Sequence, residues 1–190
     1  MFEMIQPLDN SILLWIQENL HSSILDTLMV AYTTLGNASL MWLLIAAIMV
    51  YFPKSRKAGI MVLFALILGY LLNNEFLKEL IERPRPWVDL AGLEPLIHAA
   101  DPNSFPSGHT CSAFAAAGII CRTLPKKWGL ISVIAAVLMG FSRMYVGVHY
   151  FSDVLVGAAI GILCSQIIYY LFKAASAKTN LSIDCPSEKI

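Results

Sequence analysis

Three ionisable residues, Arg143, His149 and Asp153, stand at the junction of two long apolar runs, in the segment FSRMYVGVHYFSD. His149 and Asp153 are four residues apart, so a helix that begins near His149 places both side chains on one face. An aspartate there accepts a hydrogen bond from one imidazole nitrogen and leaves the other nitrogen free, as in an activated nucleophile or general base. The alternative is a structural His–Asp pair at a helix start, where a carboxylate also suits the helix dipole.

A second cluster contains two cations of different geometry. Lys78 is followed after six residues by Arg85 and Pro86, and Pro84 and Pro86 stop the preceding helix and hold the chain extended. Lysine supplies a point charge and arginine a planar fork, a combination that suits the oxygens of one phosphate. The alternative is interfacial snorkelling of both side chains, with Glu82 pairing Lys78 one turn away.

The third cluster is the segment Pro106-Ser107-Gly108-His109, which we expect at the start of a helix. Serine is a good N-cap, glycine allows close backbone approach, and the free N–H groups of a helix N-terminus bind anions. A histidine in that first turn can donate a proton to a leaving oxygen near neutral pH. The alternative is a capped helix that carries a surface histidine.

The composition indicates the environment in which these clusters act. Of the 190 residues, 57% are hydrophobic and 14% charged, and the mean hydropathy is +0.66, far more apolar than an ordinary soluble domain. We therefore expect an all-α integral membrane helical bundle of five to six transmembrane helices, with an N-terminal interfacial helix over about 8–21. No linker divides the chain, so we expect one membrane-embedded domain over 1–190, with interfacial and other N-terminal helices in 1–37, the main bundle in 38–173 and a cytoplasmic tail in 174–190.

The order of the apolar runs predicts that the three clusters meet. After a first crossing that includes Ser39–Phe52, we expect a second span that ends at Leu80 and three more at Ser107–Arg122, Trp128–Met144 and Phe151–Phe172. Because successive spans alternate in direction, the end of span two, the start of span three, the end of span four and the start of span five emerge on one face. All three clusters lie at those four places.

Basic residues predict the orientation of the bundle. The face opposite the clusters collects nine of the thirteen Lys and Arg: Lys54, Arg56, Lys57, Arg122, Lys126, Lys127, Lys173, Lys178 and Lys189. Under the positive-inside rule this face is cytoplasmic, so the clusters lie on the extracytoplasmic face of the plasma or inner membrane. The formal net charge is zero, which gives no reason to expect a nucleic-acid partner.

Together the clusters bring three cations, two histidines, one aspartate and a helix N-terminus to one membrane face. Ionisable residues in a membrane-spanning bundle are candidates for function by default. An anion site that also holds a proton donor and a nucleophile is typical of phosphoryl transfer.

The motifs K-x6-R-P, P-S-G-H and S-R-x5-H-x3-D, which run from Lys78 to Asp153 in this order, resemble those of the type 2 phosphatidic acid phosphatase superfamily. That superfamily also includes soluble acid phosphatases and vanadium haloperoxidases. The resemblance implies that His149 attacks phosphorus, that Asp153 orients it, and that His109 protonates the leaving group and later activates water. It implies that the phosphoryl oxygens are held by Lys78, Arg85, Ser107, the Gly108 N–H and Arg143. It also implies that the reaction needs no metal or other cofactor.

The function that the resemblance implies is hydrolysis of a lipid phosphate in the bilayer through a phosphohistidine intermediate. The small size, the outward site and the HAAD stretch before FPSGH are similar to undecaprenyl pyrophosphate phosphatases of this superfamily, while phosphatidylglycerol phosphate and phosphatidic acid are alternative substrates. A metal-dependent enzyme is disfavoured because the converging cations would repel a divalent ion. A non-catalytic lipid-phosphate binding or transport protein is the alternative of a different class, and His109, His149 and Asp153 argue against it.

Overall fold

The computed structural model describes residues 2–99 and 101–178, and within them all the helices and turns build one all-α bundle without a strand. An isolated bridge pairs Pro84 with Asn103. The helices are α1 Gln6–Asn19, α2 Ser23–Leu35, α3 Leu40–Tyr51, α4 Arg56–Tyr70, α5 Lys78–Ile81, α6 Pro86–Asp89, α7 Gly108–Thr123, α8 Lys126–Tyr145 and α9 Phe151–Lys178.

Helix α7 lies at the centre of the bundle and packs against α4, α8 and α9. Its small side chains, Ala113, Ala115, Ala116 and Ala117, are fully buried and let the neighbouring helices approach closely. Gly161 of α9 faces the backbone of α7 so closely that an added Cβ would overlap the Cys111 carbonyl oxygen. The small residues thus hold the starts of α7 and α9 side by side.

Three helices of the described part of the chain are long and apolar enough to cross a membrane: 56–81, 126–145 and 151–177. Helix α2 and the segment 37–51 are bent by 57° relative to each other, and they add a fourth candidate span if the pair is counted as one broken span. Helix α7 has 16 residues and rises about 24 Å at 1.5 Å per residue, short of a full hydrocarbon crossing. The structure therefore confirms a helical membrane bundle with three to four candidate spans, and the expected five to six stays a prediction.

The bend between α2 and α3 has a backbone cause. Ala38 and Ser39 both have positive φ values, of 49° and 59°, although neither is glycine. Ala38 and Ser39 belong to the short 3₁₀ turn Asn37–Ser39, which redirects the chain between α2 and α3. As a result the side chain of Asn37 reaches the first turn of α7.

A seven-residue π-helical segment, Leu71–Leu77, joins α4 to α5 and ends directly before Lys78. Such π segments are rare and occur often at functional sites. Asn73 within it donates a hydrogen bond to the Pro106 carbonyl oxygen at 3.2 Å, which ties the end of this span to the start of α7. Because Glu82 has a φ of 48° and ends α5, the chain then turns back over the bundle end.

Helix α1 occupies 6–19, close to the predicted helix over 8–21, and packs on α8 and α9. From the spacing of polar residues in 8–21, Asp9 is expected on the polar, exposed face of that helix, and this expectation is wrong. Asp9 is only 2% exposed, since Arg83 and Ser152 supply hydrogen bonds that compensate its burial. An interfacial position for α1 stays a prediction.

The cytoplasmic tail expected in 174–190 stays a prediction. Helix α9 continues to Lys178 and so includes the first residues of the segment expected as a tail in 174–190. The remaining tail residues, 179–190 with Lys189, lie outside the described residues.

Candidate active site

A cavity of about 810 Å³ opens where the ends of α5 and α8 meet the starts of α7 and α9. Its polar end is formed by charged and imidazole side chains: Lys78, Arg85, Asp101, His109, Arg143 and His149. Its other end is lined by apolar side chains of α3, α4 and the π segment: Leu43, Leu63, Leu66, Ile67 and Leu71. The cavity therefore combines an anion site with an apolar channel between helices.

His149 lies in the short connection between α8 and α9 and is almost fully buried. Its Nε2 atom lies 3.2 Å from Nη1 of Arg85. Its Nδ1 atom lies 3.5 Å from Oδ2 of Asp153, so the pair expected from the four-residue spacing is in contact. Among the described residues, however, none meets Nδ1 with hydrogen-bond geometry. Helix α9 begins at Phe151 rather than at His149, and Oδ2 of Asp153 accepts the Tyr150 N–H at 2.9 Å.

The surroundings of His149 favour its neutral form. Burial disfavours the charged imidazolium, and the nearby charges of Arg85, Arg143 and Lys78 act in the same direction, so the pKa of His149 lies well below its usual value. A neutral imidazole at physiological pH keeps a lone pair available for attack on phosphorus.

Lys78 and Arg85 converge on one carboxylate. Nζ of Lys78 lies 3.1 Å from Oδ2 of Asp101, and Nη2 of Arg85 donates to Oδ1 at 2.8 Å. The ion-pair partner of Lys78 is therefore Asp101, and not Glu82, which the sequence offered as an alternative. Burial would raise the pKa of Asp101, but the charges of Arg85 and Lys78 outweigh it and hold the pKa below its usual value. The two cations are thus arranged to bind a single anion, as their spacing indicates.

Arg85 is held in place by its other contacts. Its Nη1 donates to the Val148 carbonyl oxygen at 2.9 Å, and its Nε donates to the Asp101 carbonyl oxygen at 3.1 Å. The guanidinium is therefore fixed by one backbone acceptor in the loop before α7 and by another in the connection between α8 and α9.

The segment Ser107–His109 forms the start of α7, as predicted. Ser107 is the N-cap residue by position, yet its hydroxyl accepts from Thr110 Oγ1 at 2.9 Å instead of capping a backbone N–H. An added Cβ at Gly108 would lie 2.8 Å from Oδ1 of Asn74, so glycine allows this close approach. His109 lies beside the cavity with Nε2 3.0 Å from Oδ1 of Asn37.

Arg143 reaches the cavity from the last turn of α8. Its Nη1 donates to Oγ1 of Thr33 at 2.7 Å, and its buried Nε meets no hydrogen-bond partner among the described residues. A buried guanidinium with free donor capacity is suited to receive an anionic oxygen.

Several residues around the site escaped the sequence reasoning. Asp101 lies in the loop before α7, while Thr33 and Asn37 come from the N-terminal part that shares no motif with the resembled family. Arg83 stands in the same RPRP run as Arg85 but contacts Asp153 instead of lining the cavity. The signal that could have singled it out is the cost of an extra arginine at a membrane face.

The side chains of the site also bear on metal binding. Within the described residues, no group of three or more His, Cys, Asp or Glu side chains is arranged to hold a metal ion. The absence of a metal requirement stays a prediction.

The family model described as the PAP2 superfamily matches residues 58–177, which include all three motifs. The chain belongs to the PAP2 superfamily. It is 36% identical over 166 residues to phosphatidylglycerophosphatase B of Bacillus subtilis, across 81% of this chain and 76% of that protein. It is also 36% identical over 154 residues to undecaprenyl-diphosphatase BcrC of Bacillus subtilis, across 78% of this chain and 76% of that protein.

A solved PAP2 structure has the same fold. A transmembrane PAP2 type phosphatidylglycerolphosphate phosphatase from Bacillus subtilis superposes with a TM-score of 0.74 at 31% identity, across 90% of this chain and 87% of that chain. The chain is therefore a membrane lipid phosphatase of the PAP2 superfamily.

Proposed function

We propose that this PAP2 phosphatase hydrolyses a lipid phosphate without a metal, through a phosphohistidine on His149. The observation that carries the proposal is the cavity itself, in which Lys78, Arg85, Arg143 and both histidines line one end and leucine side chains the other. A phosphate at the polar end and an acyl or prenyl chain between the helices would occupy both parts.

The proposed reaction has two displacements. A lone pair of His149 Nε2 forms a bond to phosphorus while the bond to the leaving oxygen breaks, and His109 gives that oxygen its proton. Water, deprotonated by His109, then attacks the phosphohistidine and releases phosphate and neutral His149. Asp153, in contact with Nδ1, stabilises the positive charge that the imidazole gains in the first step.

The remaining site residues stabilise the transferred group. Lys78, Arg85 and Arg143 compensate the charge of the phosphoryl oxygens, a role that Mg²⁺ plays in many other phosphotransferases. Ser107 and the N–H of Gly108 at the start of α7 add neutral hydrogen bonds and the positive end of the helix dipole. The neutral state of His149, supported by its low pKa, leaves the nucleophile ready.

We propose undecaprenyl pyrophosphate as the substrate. Support comes from the 36% identity to undecaprenyl-diphosphatase BcrC and from the apolar channel of the cavity. The equal identity to phosphatidylglycerophosphatase B, over a larger share of this chain, favours phosphatidylglycerol phosphate as the second candidate. Phosphatidic acid is the third member of the same chemical class.

We further propose that the bundle crosses the membrane five to six times, with α7 as a span, and that the site opens on the extracytoplasmic face. The basic residues support this orientation, because the starts of α4 and α8 lie at the bundle end opposite the site. The turn before α4 contains Lys54, and the first turns of the two helices contain Arg56, Lys57, Lys126 and Lys127.

The experiment measures phosphate release in EDTA by detergent-purified wild type and His149→Ala, on the three lipids separately. We expect release by the wild type only, fastest on undecaprenyl pyrophosphate. The matched histidine control is His21→Ala, because His21 is not among the described residues that line the cavity. Activity of His149→Ala would contradict the nucleophile. A folded wild type that binds but releases no phosphate from any of these lipids would favour a binding or transport protein.

A further inference from the structure

A buried ionic network joins helix α1 to the site from outside the cavity. Oδ2 of Asp9 accepts a hydrogen bond from Arg83 Nη2 at 2.8 Å, and Oδ1 accepts the Ser152 N–H at 2.9 Å. The Ser152 hydroxyl donates to the same carboxylate. Asp9 lies outside the 58–177 segment that matches the family, so no family motif accounts for a buried carboxylate here.

Arg83 connects Asp9 to Asp153. While Nη2 contacts Asp9, Nη1 donates to Oδ1 of Asp153 at 2.6 Å. The guanidinium lies between two aromatic rings, 4.2 Å from the centroid of Phe2 and 4.0 Å from that of Tyr150. A planar guanidinium packed between two rings can hold two carboxylates at fixed positions relative to each other.

The contacts of Asp153 show how the position of Arg83 affects His149. Arg83 takes Oδ1, while Oδ2 accepts the Tyr150 N–H at 2.9 Å and lies 3.5 Å from Nδ1 of His149. The rotation of the carboxylate is therefore set by Arg83 on one oxygen and by a backbone amide on the other. Moving Arg83 would turn Oδ2 relative to the imidazole.

Asp9 also balances charge. One guanidinium lies between two carboxylates, so each receives part of its charge. If Asp9 were neutral, the positive charge of Arg83 would be compensated by Asp153 alone. The negative electrostatic potential that Asp153 produces at His149 would then be smaller.

We propose that Asp9 and Arg83 are positioning residues for the Asp153–His149 pair, which makes helix α1 a functional part of the active site. The proposal rests on the proposed function, in which His149 is the nucleophile. Neither residue belongs to the described residues that line the cavity, so both act through Asp153 and not through contact with substrate.

This separation predicts a specific kinetic signature. Asp9→Asn keeps the size of the side chain and an oxygen that can accept the Ser152 N–H, but it removes the negative charge. Arg83→Lys keeps the positive charge but removes the planar guanidinium that contacts both carboxylates. We expect each variant to lower kcat about tenfold, the effect typical of an outer-sphere partner of a functional side chain. KM and the inhibition constant of inorganic phosphate stay at the wild-type values, because the anion site is untouched.

The test compares the full-length wild type, Asp9→Asn, Arg83→Lys and the double variant in detergent. Each is measured for kcat, KM, inhibition by inorganic phosphate and thermal unfolding. Glu18→Gln is the matched control, since it removes one carboxylate from the exposed side of the same helix and should leave all four quantities unchanged. Because both residues act through one network, the double variant should lose little more kcat than the stronger single variant.

The outcomes separate a positioning role from a structural one. A lower kcat with unchanged phosphate inhibition supports the proposal. Wild-type kcat in both single variants overturns it, as does a loss of folding or of phosphate binding in both, since the network would then serve the fold alone. His149→Ala is measured in parallel: if it remains active, the proposed function has failed, whereas an inactive His149→Ala beside fully active Asp9 and Arg83 variants overturns only this inference.

Discussion

Replacing Asp101 should make the phosphatase bind phosphate more tightly. The Asp101 carboxylate contacts Nζ of Lys78 at 3.1 Å and Nη2 of Arg85 at 2.8 Å, and these are donors of the proposed phosphate site. An incoming phosphate must therefore displace this internal anion before it can bind. In Asp101→Asn the competing charge is gone, while the size of the side chain is kept.

The magnitude follows from the contacts that must break. A hydrogen bond to a charged group contributes about 1.5–3 kcal/mol when buried, and an exposed ion pair contributes about 0–1 kcal/mol. Asp101 is intermediate, because its side chain is 49% exposed whereas those of Lys78 and Arg85 are buried. We therefore assign about 1.4 kcal/mol to the competition, which corresponds to about tenfold in affinity.

The assay is competitive inhibition of lipid phosphate hydrolysis by inorganic phosphate, for wild type, Asp101→Asn and Glu94→Gln. The Glu94 variant removes a carboxylate from an exposed position of the same loop and controls for net charge. We expect an inhibition constant about tenfold lower for Asp101→Asn alone. Since the pKa of Asp101 is held below its usual value, the effect should persist throughout the neutral pH range. Equal or weaker inhibition of Asp101→Asn would refute the reasoning.

Three further predictions concern charge, packing and metal dependence. Lys78→Met removes one of the positive charges that lower the pKa of His149, so this pKa rises and the acid limb of residual kcat/KM moves to higher pH; an unmoved limb would contradict this assignment. Gly161→Leu forces a side chain against the backbone of α7 and should destabilise the protein by about 1–3 kcal/mol in thermal unfolding, unlike Ala159→Leu on the exposed side of the same helix. Extensive dialysis against EDTA should leave the rate of phosphate release unchanged, and recovery of a lost rate on adding Mg²⁺ would show a metal requirement.

The convergence of the three motifs could be predicted because it depends on chain direction alone. Once the apolar runs are taken as helices, the end of one span and the start of the next share a face. Lys78, Ser107, Arg143 and His149 therefore lie at the same face of the bundle. The small residues of α7 and α9 then set the close approach that brings Ser107 beside the start of α9, where its N–H donates to the Asp153 carbonyl oxygen at 3.0 Å.

The partners of these residues could not be predicted, because they depend on long-range contacts. Asp101 lies in an irregular loop whose sequence has no periodicity. Its contact with Lys78 and Arg85 depends on the path of that loop in the folded protein, which the sequence pattern does not reveal. Asp9 was expected at the polar face of α1, since the spacing reveals a face but not a buried arginine that pairs with it. Asn37 contacts His109 only because non-glycine residues with positive φ produce the 57° bend between α2 and α3.

The measurement that tests the central claim most directly is the chemical identity of the phosphoenzyme. Wild type and His149→Ala are mixed with excess lipid phosphate in EDTA, quenched in alkali within the first turnovers, digested, and analysed by mass spectrometry. We predict a phosphohistidine on the peptide that contains His149, formed as fast as the first phosphate is released and absent from His149→Ala. Phosphate release without any such adduct, or with an adduct on another residue, would contradict it.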